Sequence, residues 1–437
     1  MMPQTILQKI MAPMNARKAA ICFLPFLFFY AAIIVLAAKP ILIVDEPSYL
    51  MFANNLVHGF YSPPPPDIDL WHAPGYPLIL APFIALKAPL ILLRMLNAVW
   101  LYASILICYR ILKRIVAPGK AFTGAVLLGG YWLAWKGLPV IMTETFVFFL
   151  ITVIVFAAMK YFEQESAGLK PLLILAFLLG YLCITRFLFA YVMVALLLLS
   201  IVMMIRGKKN FAKAFRVSLL ALLFTIPYLA YTFTLTGKFF YWSNAGGSNL
   251  YWMSNPAPRE YGDYFNENLE PNGSVDGVQE GAAEQLKKNH QPQMNYLLQF
   301  KGVEKDEMFR EIAFEQIREY PGAFLKNWLA NTGRLLFNFP YSYRKPGPGL
   351  LFNMLPHLLA IFIAIPLLRK ARKQKVKFPF FLQYLLWMVL IYFAASTILS
   401  ALIRMFYVVF PVLLITGIWL WDRTVRNGAI PDNRGPV

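Results

Sequence analysis

Long apolar runs separated by short polar segments dominate the chain. Ten of these runs are long enough to cross a hydrocarbon layer of about 30 Å as α-helices. They lie at 19–38, 91–111, 121–138, 144–160, 171–185, 187–205, 217–236, 350–368, 378–398 and 403–421. The pattern therefore predicts an all-α polytopic membrane protein, a bundle of about ten transmembrane helices.

Two longer segments interrupt the pattern, and alternating crossings place both on the same side of the membrane. The first, 39–90, contains a further apolar stretch near 75–90, with four prolines at positions 74, 77, 82 and 89. A crossing there would move the cations of 110–120 to the opposite side. We therefore expect the stretch to form helices at the outer interface, or dipping into it, without crossing.

The second segment, 237–349, is long and polar. From about 303 to 320 its apolar residues recur at helical spacing, and Pro321 is expected to stop that helix and begin the next. This pattern predicts a small exterior domain resting on the bundle.

The predicted organisation has three parts. Residues 1–236 form a transmembrane catalytic module with an exterior first loop at 39–90. Residues 237–349 form an exterior, periplasmic loop domain. Residues 350–437 contain the C-terminal transmembrane helices and a cytoplasmic tail.

The amino-acid composition also indicates a membrane protein. Of 437 residues, 59% are hydrophobic and only 14% are charged, which excludes an ordinary soluble domain. The net charge is +19, and 23 of the 41 Lys and Arg residues fall on short segments on the same side of the membrane as the N-terminus. This excess is typical of cytoplasmic loops in membrane proteins. It therefore indicates membrane topology and no nucleic-acid partner. The expected location is a bacterial plasma (inner) membrane, with both termini cytoplasmic.

A carboxylate left at mid-bilayer costs about 2.5–3.5 kcal/mol. A carboxylate next to an apolar run is therefore expected to have a structural or functional role. Asp45 and Glu46 follow the first run, and Glu144 opens the run at 144–160. Alternation places all three near the exterior surface. They are candidates for catalysis or substrate binding, and the alternative is that they cap helix N-termini.

Five cations are expected near the same surface: His72, Arg94, Lys136, Arg186 and Arg404. Arg186 and Arg404 lie within or beside apolar runs, where a charge usually pairs with a carboxylate, lines a wet cavity or binds an anion. Snorkelling to the lipid headgroups is the alternative for both. His72 is either a phosphate contact or an interfacial histidine with satisfied hydrogen bonds.

Carboxylates and fixed cations at the outer leaflet suit an anionic, membrane-borne substrate such as a sugar linked to a polyprenyl phosphate. The aromatic residues Tyr241, Trp242 and Trp252 of 237–349 are then expected to stack on sugar rings or to lie on the membrane surface. The phosphate leaving group needs no protonation, so one carboxylate can act as the base on an acceptor hydroxyl. A single displacement of this kind inverts the anomeric centre, and it needs one base where a glycoside hydrolase needs two carboxyl groups.

Four motifs occur in an informative order: Asp45-Glu46-x-x-Tyr49, His72-Ala-Pro-Gly-Tyr76-Pro, Thr-Glu144 and Thr-Arg186. Together they resemble the lipid-linked-sugar glycosyltransferases of the GT-C class. The resemblance is nearer to the family that contains protein O-mannosyltransferases and bacterial aminoarabinose transferases. It covers nearly the whole chain and extends to Arg404 in the last run.

The resemblance implies a GT-C-like bundle and a set of site residues. Asp45 is the expected catalytic base, with Glu46 in support. Tyr49, His72, Tyr76, Glu144, Arg186 and Arg404 are expected to bind substrate. His72 departs from the family, because aminoarabinose transferases carry a lysine there, and the chain has fewer C-terminal spans than larger members.

Several alternatives stay open at this point. The partners are expected to be the lipid bilayer, a polyprenyl-phosphate-linked sugar and a lipid, glycan or protein acceptor. No cofactor is certain, and a divalent metal such as Mg²⁺ or Mn²⁺ is an open alternative. An O-antigen-type polymerase or ligase is the rival enzyme, and a secondary transporter is the rival from another class.

Overall fold

The computed structural model is all-helical in the residues it describes, which are 14–164, 168–270, 278–347 and 349–426. These ranges hold no strand, only an isolated bridge between Val278 and Arg344. The helices in chain order are α1 (Ala16–Ala37), α2 (Glu46–Val57), α3 (Gly75–Ala85), α4 (Leu90–Ile115), α5 (Pro118–Gly129), α6 (Trp132–Lys136), α7 (Thr143–Phe162), α8 (Leu169–Thr185), α9 (Leu188–Ile205), α10 (Phe211–Leu223), α11 (Ile226–Thr236), α12 (Gly246–Ser254), α13 (Ala282–Leu297), α14 (Gly302–Glu319), α15 (Pro321–Phe337), α16 (Gly349–Lys373), α17 (Phe380–Leu399) and α18 (Ile403–Arg426).

Seven of the described helices are long and apolar enough to cross a membrane: α1, α4, α7, α9, α16, α17 and α18. The pair α10 and α11 meets the same criterion together, with a bend of 43° between its halves. Pro227 in the first turn of α11 accounts for the break, because proline has no N–H to continue the helical hydrogen bonds. The protein is therefore a polytopic, all-helical membrane protein.

The two other predicted crossings, 171–185 and 121–138, do not correspond to helices that meet this criterion. The run 171–185 corresponds to α8, whose 17 residues lie at the short end of what can span a bilayer. The run 121–138 is not one helix, because α5 ends at Gly129 and the five-residue α6 follows. A Cβ atom at Gly129 would lie 2.8 Å from the Ile105 side chain and 2.9 Å from Phe26, so close packing requires glycine where the helix ends.

The apolar stretch near 75–90 forms the 11-residue helix α3, which is about 16 Å long and too short to cross. This length agrees with the expectation that the stretch does not span the membrane, which stays a prediction. Gly75, at its start, packs directly on α8: a Cβ there would collide with the Thr185 hydroxyl and would lie 2.8 Å from the Ile184 carbonyl oxygen. Glycine thus lets the backbone before α3 lie against the end of α8.

Burial separates the centre of the bundle from its periphery. Helix α7 is central, with 16 of its 20 residues buried, whereas α16 has three buried residues among its 25. Large apolar side chains on α16, such as Leu351, Phe352 and Phe362, are exposed. Such exposure is costly in water and normal against lipid.

Contacts at one end of the bundle agree with the predicted alternation of crossings. Lys113 donates to the Met14 carbonyl oxygen, Lys120 pairs with Asp422 at 3.1 Å, and Gln374 donates to the Thr424 carbonyl oxygen. These residues belong to segments that the charge bias assigned to the cytoplasmic side. They lie at one end, and the candidate site lies at the other. The tail beyond Arg426 is outside the described residues.

Residues 237–349 contain helices α12 to α15, and α14 and α15 match the helix expected at 303–320 and the new helix expected at Pro321. A separate apolar cluster that includes Tyr251, Trp252 and Phe309 forms the core of this segment. The expectation for its aromatic residues is wrong: Tyr241, Trp242 and Trp252 are all buried, so packing and not sugar or membrane contact explains them.

Candidate active site

Glu46 opens α2 and is completely buried. Its Oε1 accepts from Arg94 Nε at 3.1 Å and from the Ile141 amide at 2.9 Å. Its Oε2 accepts from Arg94 Nη2 at 3.2 Å and from the Ile43 amide at 2.9 Å. Four hydrogen bonds, two of them from the Arg94 guanidinium group, satisfy this carboxylate, which ties α2 to α4 and to the loop before α7.

Asp45 occupies the N-cap position of α2, but its side chain makes no capping hydrogen bond. Its Oδ2 instead accepts from Arg404 Nη1 at 3.2 Å. The Asp45 side chain is 30% exposed and the Arg404 side chain 33% exposed, so solvent reaches this pair. The capping alternative therefore does not account for Asp45.

Glu144 is the second residue of α7, where the partial positive charge of the helix N-terminus favours a carboxylate. Its side chain is 5% exposed, and Oε1 accepts from Arg186 Nη2 at 2.8 Å. Arg404 Nε lies 3.6 Å from the same oxygen. The other oxygen, Oε2, is buried and has no hydrogen-bond partner in the described part of the chain.

Arg186 directly follows the last residue of α8, and Arg404 is the second residue of α18. The Arg186 side chain is 15% exposed and pairs with the buried Glu144, so snorkelling to headgroups does not account for it. The Nε atom of Arg404 is buried and makes no hydrogen bond within the described residues. Arg404 thus keeps a buried donor for which the described residues supply no partner.

Tyr49, His72 and Tyr76 stack beside these charges. The ring centroids of Tyr49 and His72 are 4.4 Å apart, and those of Tyr49 and Tyr76 are 5.2 Å apart in an edge-to-face arrangement. The Tyr76 hydroxyl is buried and has no hydrogen-bond partner among the described residues. The contact between Gly75 and Thr185 brings this segment against Arg186.

Burial lowers the pKa of His72, and the Asp45 carboxylate opposes this shift. The imidazole is therefore neutral near pH 7 and adds no permanent positive charge to the site. The backbone carbonyl oxygen of His72 accepts a hydrogen bond from the Tyr61 hydroxyl at 2.7 Å, which holds the loop in place. This placement suits a neutral wall residue better than a fixed cation.

Sequence analysis missed two tyrosines of the site and the role of Arg94. Arg186 Nη1 lies 3.5 Å from the Tyr392 hydroxyl, and the Tyr407 hydroxyl lies 3.2 Å from Thr145 Oγ1. Tyr407 is three residues after Arg404 on α18, so helical spacing could have indicated it. Nothing local points to Tyr392. The sequence indicated Arg94 only as a cation near the exterior face, with no partner assigned to it.

The described residues contain no group of three or more His, Cys, Asp or Glu side chains able to hold a metal ion. The carboxylates Asp45 and Glu144 instead face guanidinium groups. The dependence on Mg²⁺ or Mn²⁺ raised from the sequence stays a prediction.

Comparisons with known proteins give one distant likeness. No family model matches the sequence, and no curated protein matches it. Among solved structures, the chain is similar to the crystal structure of ArnT from Cupriavidus metallidurans bound to undecaprenyl phosphate. The identity is 11%, the TM-score is 0.42, and the match covers 92% of this chain and 77% of that chain. A likeness at this level assigns no family.

Proposed function

We propose that this protein is an integral membrane glycosyltransferase. It takes a sugar from a polyprenyl-phosphate donor and passes it to an acceptor hydroxyl on the exterior face of the membrane. The reaction is an inverting single displacement with a carboxylate base. The sequence motifs suggest this chemistry, and the geometry of the candidate site supports it.

One observation carries the proposal. Asp45, Glu144, Arg186 and Arg404 come from four separate parts of the chain, and they form a chain of ion pairs at one end of the bundle. Each lies at or beside a helix terminus, next to apolar helices. A membrane-borne anion can reach two guanidinium groups there without leaving the lipid phase.

Asp45 and Glu46 are given different roles because the two carboxylates differ in how many hydrogen bonds they already make within the protein. Glu46 is enclosed by four bonds and has no solvent exposure, so it holds the loop after α1 and the residues before α7 in place. Asp45 is accessible and has one guanidinium neighbour. Asp45 is therefore the base, and Glu46 positions it.

The proposed step conserves atoms and charge. The acceptor oxygen attacks the anomeric carbon, and the bond from that carbon to the phosphate oxygen breaks, with its electrons leaving on the phosphate. The acceptor proton passes to an oxygen of Asp45. Arg186 and Arg404 stabilise the additional negative charge that the phosphate acquires.

Two rival functions make different demands. A secondary transporter needs charged groups near mid-span, whereas the four site residues lie at or beside helix termini. A polymerase or ligase of the O-antigen type uses a longer lipid-pyrophosphate glycan. It is distinguished by its donor, because it transfers from a pyrophosphate-linked oligosaccharide and not from a single sugar on a monophosphate.

Photo-crosslinking with a polyprenyl-phosphate analogue tests donor binding by the purified protein. We expect specific labelling that a polyprenyl monophosphate sugar suppresses at lower concentration than a pyrophosphate-linked oligosaccharide. Mass spectrometry of envelope glycans and lipids from a deletion strain should then show the loss of one hexose or pentose unit. Absence of both labelling and donor cleavage would contradict the proposed function.

A further inference from the structure

Helix α7 is the central helix of the bundle, yet it reaches the outside of the bundle along one narrow strip. Sixteen of its 20 residues are buried, and the other four are Phe149, Val153, Phe156 and Lys160. Spacings of three and four residues place these four on one face of the helix. The strip is therefore apolar up to its last residue, Lys160, which lies at the end of the bundle opposite the candidate active site.

Helix α4 packs along α7 and carries a similar strip. Ala103 and Leu106 are half-buried, and the exposed Arg110 and Arg114 follow on the same helical face near the end of α4. Half-buried apolar side chains on the outside of a membrane bundle contact lipid tails, and cations at the ends of its helices lie at the level of the headgroups. Both strips thus run from lipid tails to headgroups.

Three cations from these two helices converge on the Phe156 ring. The guanidinium carbons of Arg110 and Arg114 lie 5.1 Å and 5.5 Å from the ring centroid, and Lys160 Nζ lies 4.8 Å from it. Attraction between a cation and an aromatic ring holds each side chain at this place. Because the ring has no net charge, it brings the three positive charges together without neutralising them.

No carboxylate in the part of the chain that the structure describes forms an ion pair with any of the three cations. Glu163, three residues after Lys160, is exposed and is one negative charge beside three positive ones. Elsewhere at this end the protein does neutralise a cation, since Lys120 pairs with the buried Asp422 at 3.1 Å. The cation cluster around Phe156 therefore has the charge to bind an anion.

We propose that this cation cluster and the two apolar strips bind one anionic phospholipid of the membrane leaflet at this end. The lipid phosphate contacts the guanidinium groups of Arg110 and Arg114, each of which can bind two phosphate oxygens, and the ammonium group of Lys160. An acyl chain packs on Val153 and Phe156. The apolar contact favours a lipid over a soluble phosphate, because a soluble ion buries no apolar surface there.

This lipid site is distinct from the proposed donor site. Glu144 and Lys160 are 16 residues apart on α7, which separates them by roughly 24 Å along the helix axis. The polyprenyl phosphate is proposed to bind at the Glu144 end. The lipid site therefore stands or fails independently of the proposed function.

Native mass spectrometry of the purified full-length protein tests the site. The protein is exchanged into detergent that contains equal amounts of phosphatidylglycerol, which is anionic, and phosphatidylcholine, which is zwitterionic. We expect the wild type to retain one phosphatidylglycerol in preference to phosphatidylcholine. The triple variant Arg110→Gln, Arg114→Gln and Lys160→Gln should lower this preference about tenfold, since each cation near a membrane surface strengthens binding of acidic lipid.

A matched triple variant separates a specific site from the general positive charge of this end. Arg369, Arg372 and Lys373 at the end of α16 are the same residue types, and they are exposed, with no ion pair or aromatic contact among the described residues. Replacing these three by Gln should leave the lipid preference nearly unchanged. An equal loss in both triple variants would overturn the site, because general electrostatic attraction would then explain the binding.

Site-specific crosslinking locates the lipid in a protein that keeps all three cations. A photoreactive phenylalanine analogue replaces Val153, seven residues before Lys160, or Phe362, which is exposed and lies seven residues before Arg369. In membranes that contain both lipids, we expect adducts at 153 to be enriched in phosphatidylglycerol about fivefold over adducts at 362. Adducts of the same composition at both positions would contradict the proposal.

Competition identifies the source of the phosphate. Glycerol 3-phosphate carries the same anionic group without acyl chains, so at the concentration of the lipid it should not displace phosphatidylglycerol from the wild type. Persistence of the adduct at 153 in its presence supports a lipid ligand. Displacement by glycerol 3-phosphate would instead show that a soluble phosphate suffices and would overturn the assignment to a lipid.

Discussion

Two clusters of carboxylates and guanidinium groups lie in the same part of the molecule and differ in one respect. Glu46 and Arg94 form a closed cluster in which both carboxylate oxygens are fully bonded and the side chains are buried. The open cluster, formed by Asp45, Glu144, Arg186 and Arg404, keeps solvent access and buried polar atoms without partners among the described residues. The contacts of the closed cluster are explained by folding alone, whereas the open cluster retains polar groups that can bind a ligand.

The contrast also applies to neighbours in sequence. Asp45 and Glu46 are adjacent at the start of α2, yet they have entirely different partners. Glu46 turns toward α4 and Asp45 toward α18. We therefore expect substitutions in the closed cluster to reduce stability and substitutions in the open cluster to reduce turnover.

The largest effect is expected at Asp45. Asp45→Asn keeps size and polarity but cannot accept the proton, so turnover should fall about 10²- to 10⁴-fold. Donor KM should change little, because the guanidinium groups hold the phosphate. Asp67→Asn is the matched control, the same change at an exposed carboxylate of the same loop. Near-normal transfer by purified, folded Asp45→Asn would refute the role of Asp45 as the base.

Breaking the closed cluster should destabilise the fold. Arg94→Leu leaves Glu46 buried without its counter-ion, which typically costs about 3–5 kcal/mol. Thermal unfolding of the purified protein in detergent measures this loss. Replacing both partners, Arg94→Leu with Glu46→Leu, should recover much of the stability. A single variant as stable as the wild type would show that the closed cluster does not hold the fold.

Much of the fold could be predicted from the sequence because apolar run length and the charge bias act locally. The eight crossings that match helices or a bent pair are of this kind. In the structure the run expected at 121–138 is divided: α5 ends at Gly129, which packs closely on Phe26 and Ile105, and α6 begins at Trp132. Sequence patterns show where a helix is favoured, but tertiary packing decides whether it continues.

The site was predicted in part for the same reason. Local motifs indicated Asp45, Glu144, Arg186 and Arg404, and the structure brings the four together. They did not indicate that Arg94, 48 residues away, bonds Glu46. Likewise, composition alone could not show that Tyr241 and Trp242 are buried, because they pack against residues from other parts of the chain.

A smaller effect is expected at Arg186. Arg186→Ala should raise the donor KM about 10- to 100-fold, since a guanidinium binds two phosphate oxygens through charge-assisted bonds. Arg186→Lys should recover only part of the affinity, because an ammonium acts as a point charge. Lys136→Ala is the control, a cation of the same region whose ammonium contacts Asn353. Donor crosslinking that is unchanged in Arg186→Ala would remove Arg186 from the donor site.

The smallest effect on activity is expected at a second closed cluster, inside the segment 237–349. Burial acts to raise the pKa of Glu260, but hydrogen bonds from His290, Asn289 and Tyr343 outweigh it and lower the pKa. A lowered folded-state pKa stabilises the segment above the unfolded value of about 4.3, and this contribution is lost as the pH falls through the folded value. Hydrogen exchange of α13, corrected for intrinsic rates, should therefore show protection that declines at acidic pH. Glu260→Gln should weaken that decline and leave turnover near normal at pH 7. A loss of turnover as large as that of Asp45→Asn, with the fold intact, would show that a saturated carboxylate can be catalytic here and would break the comparison.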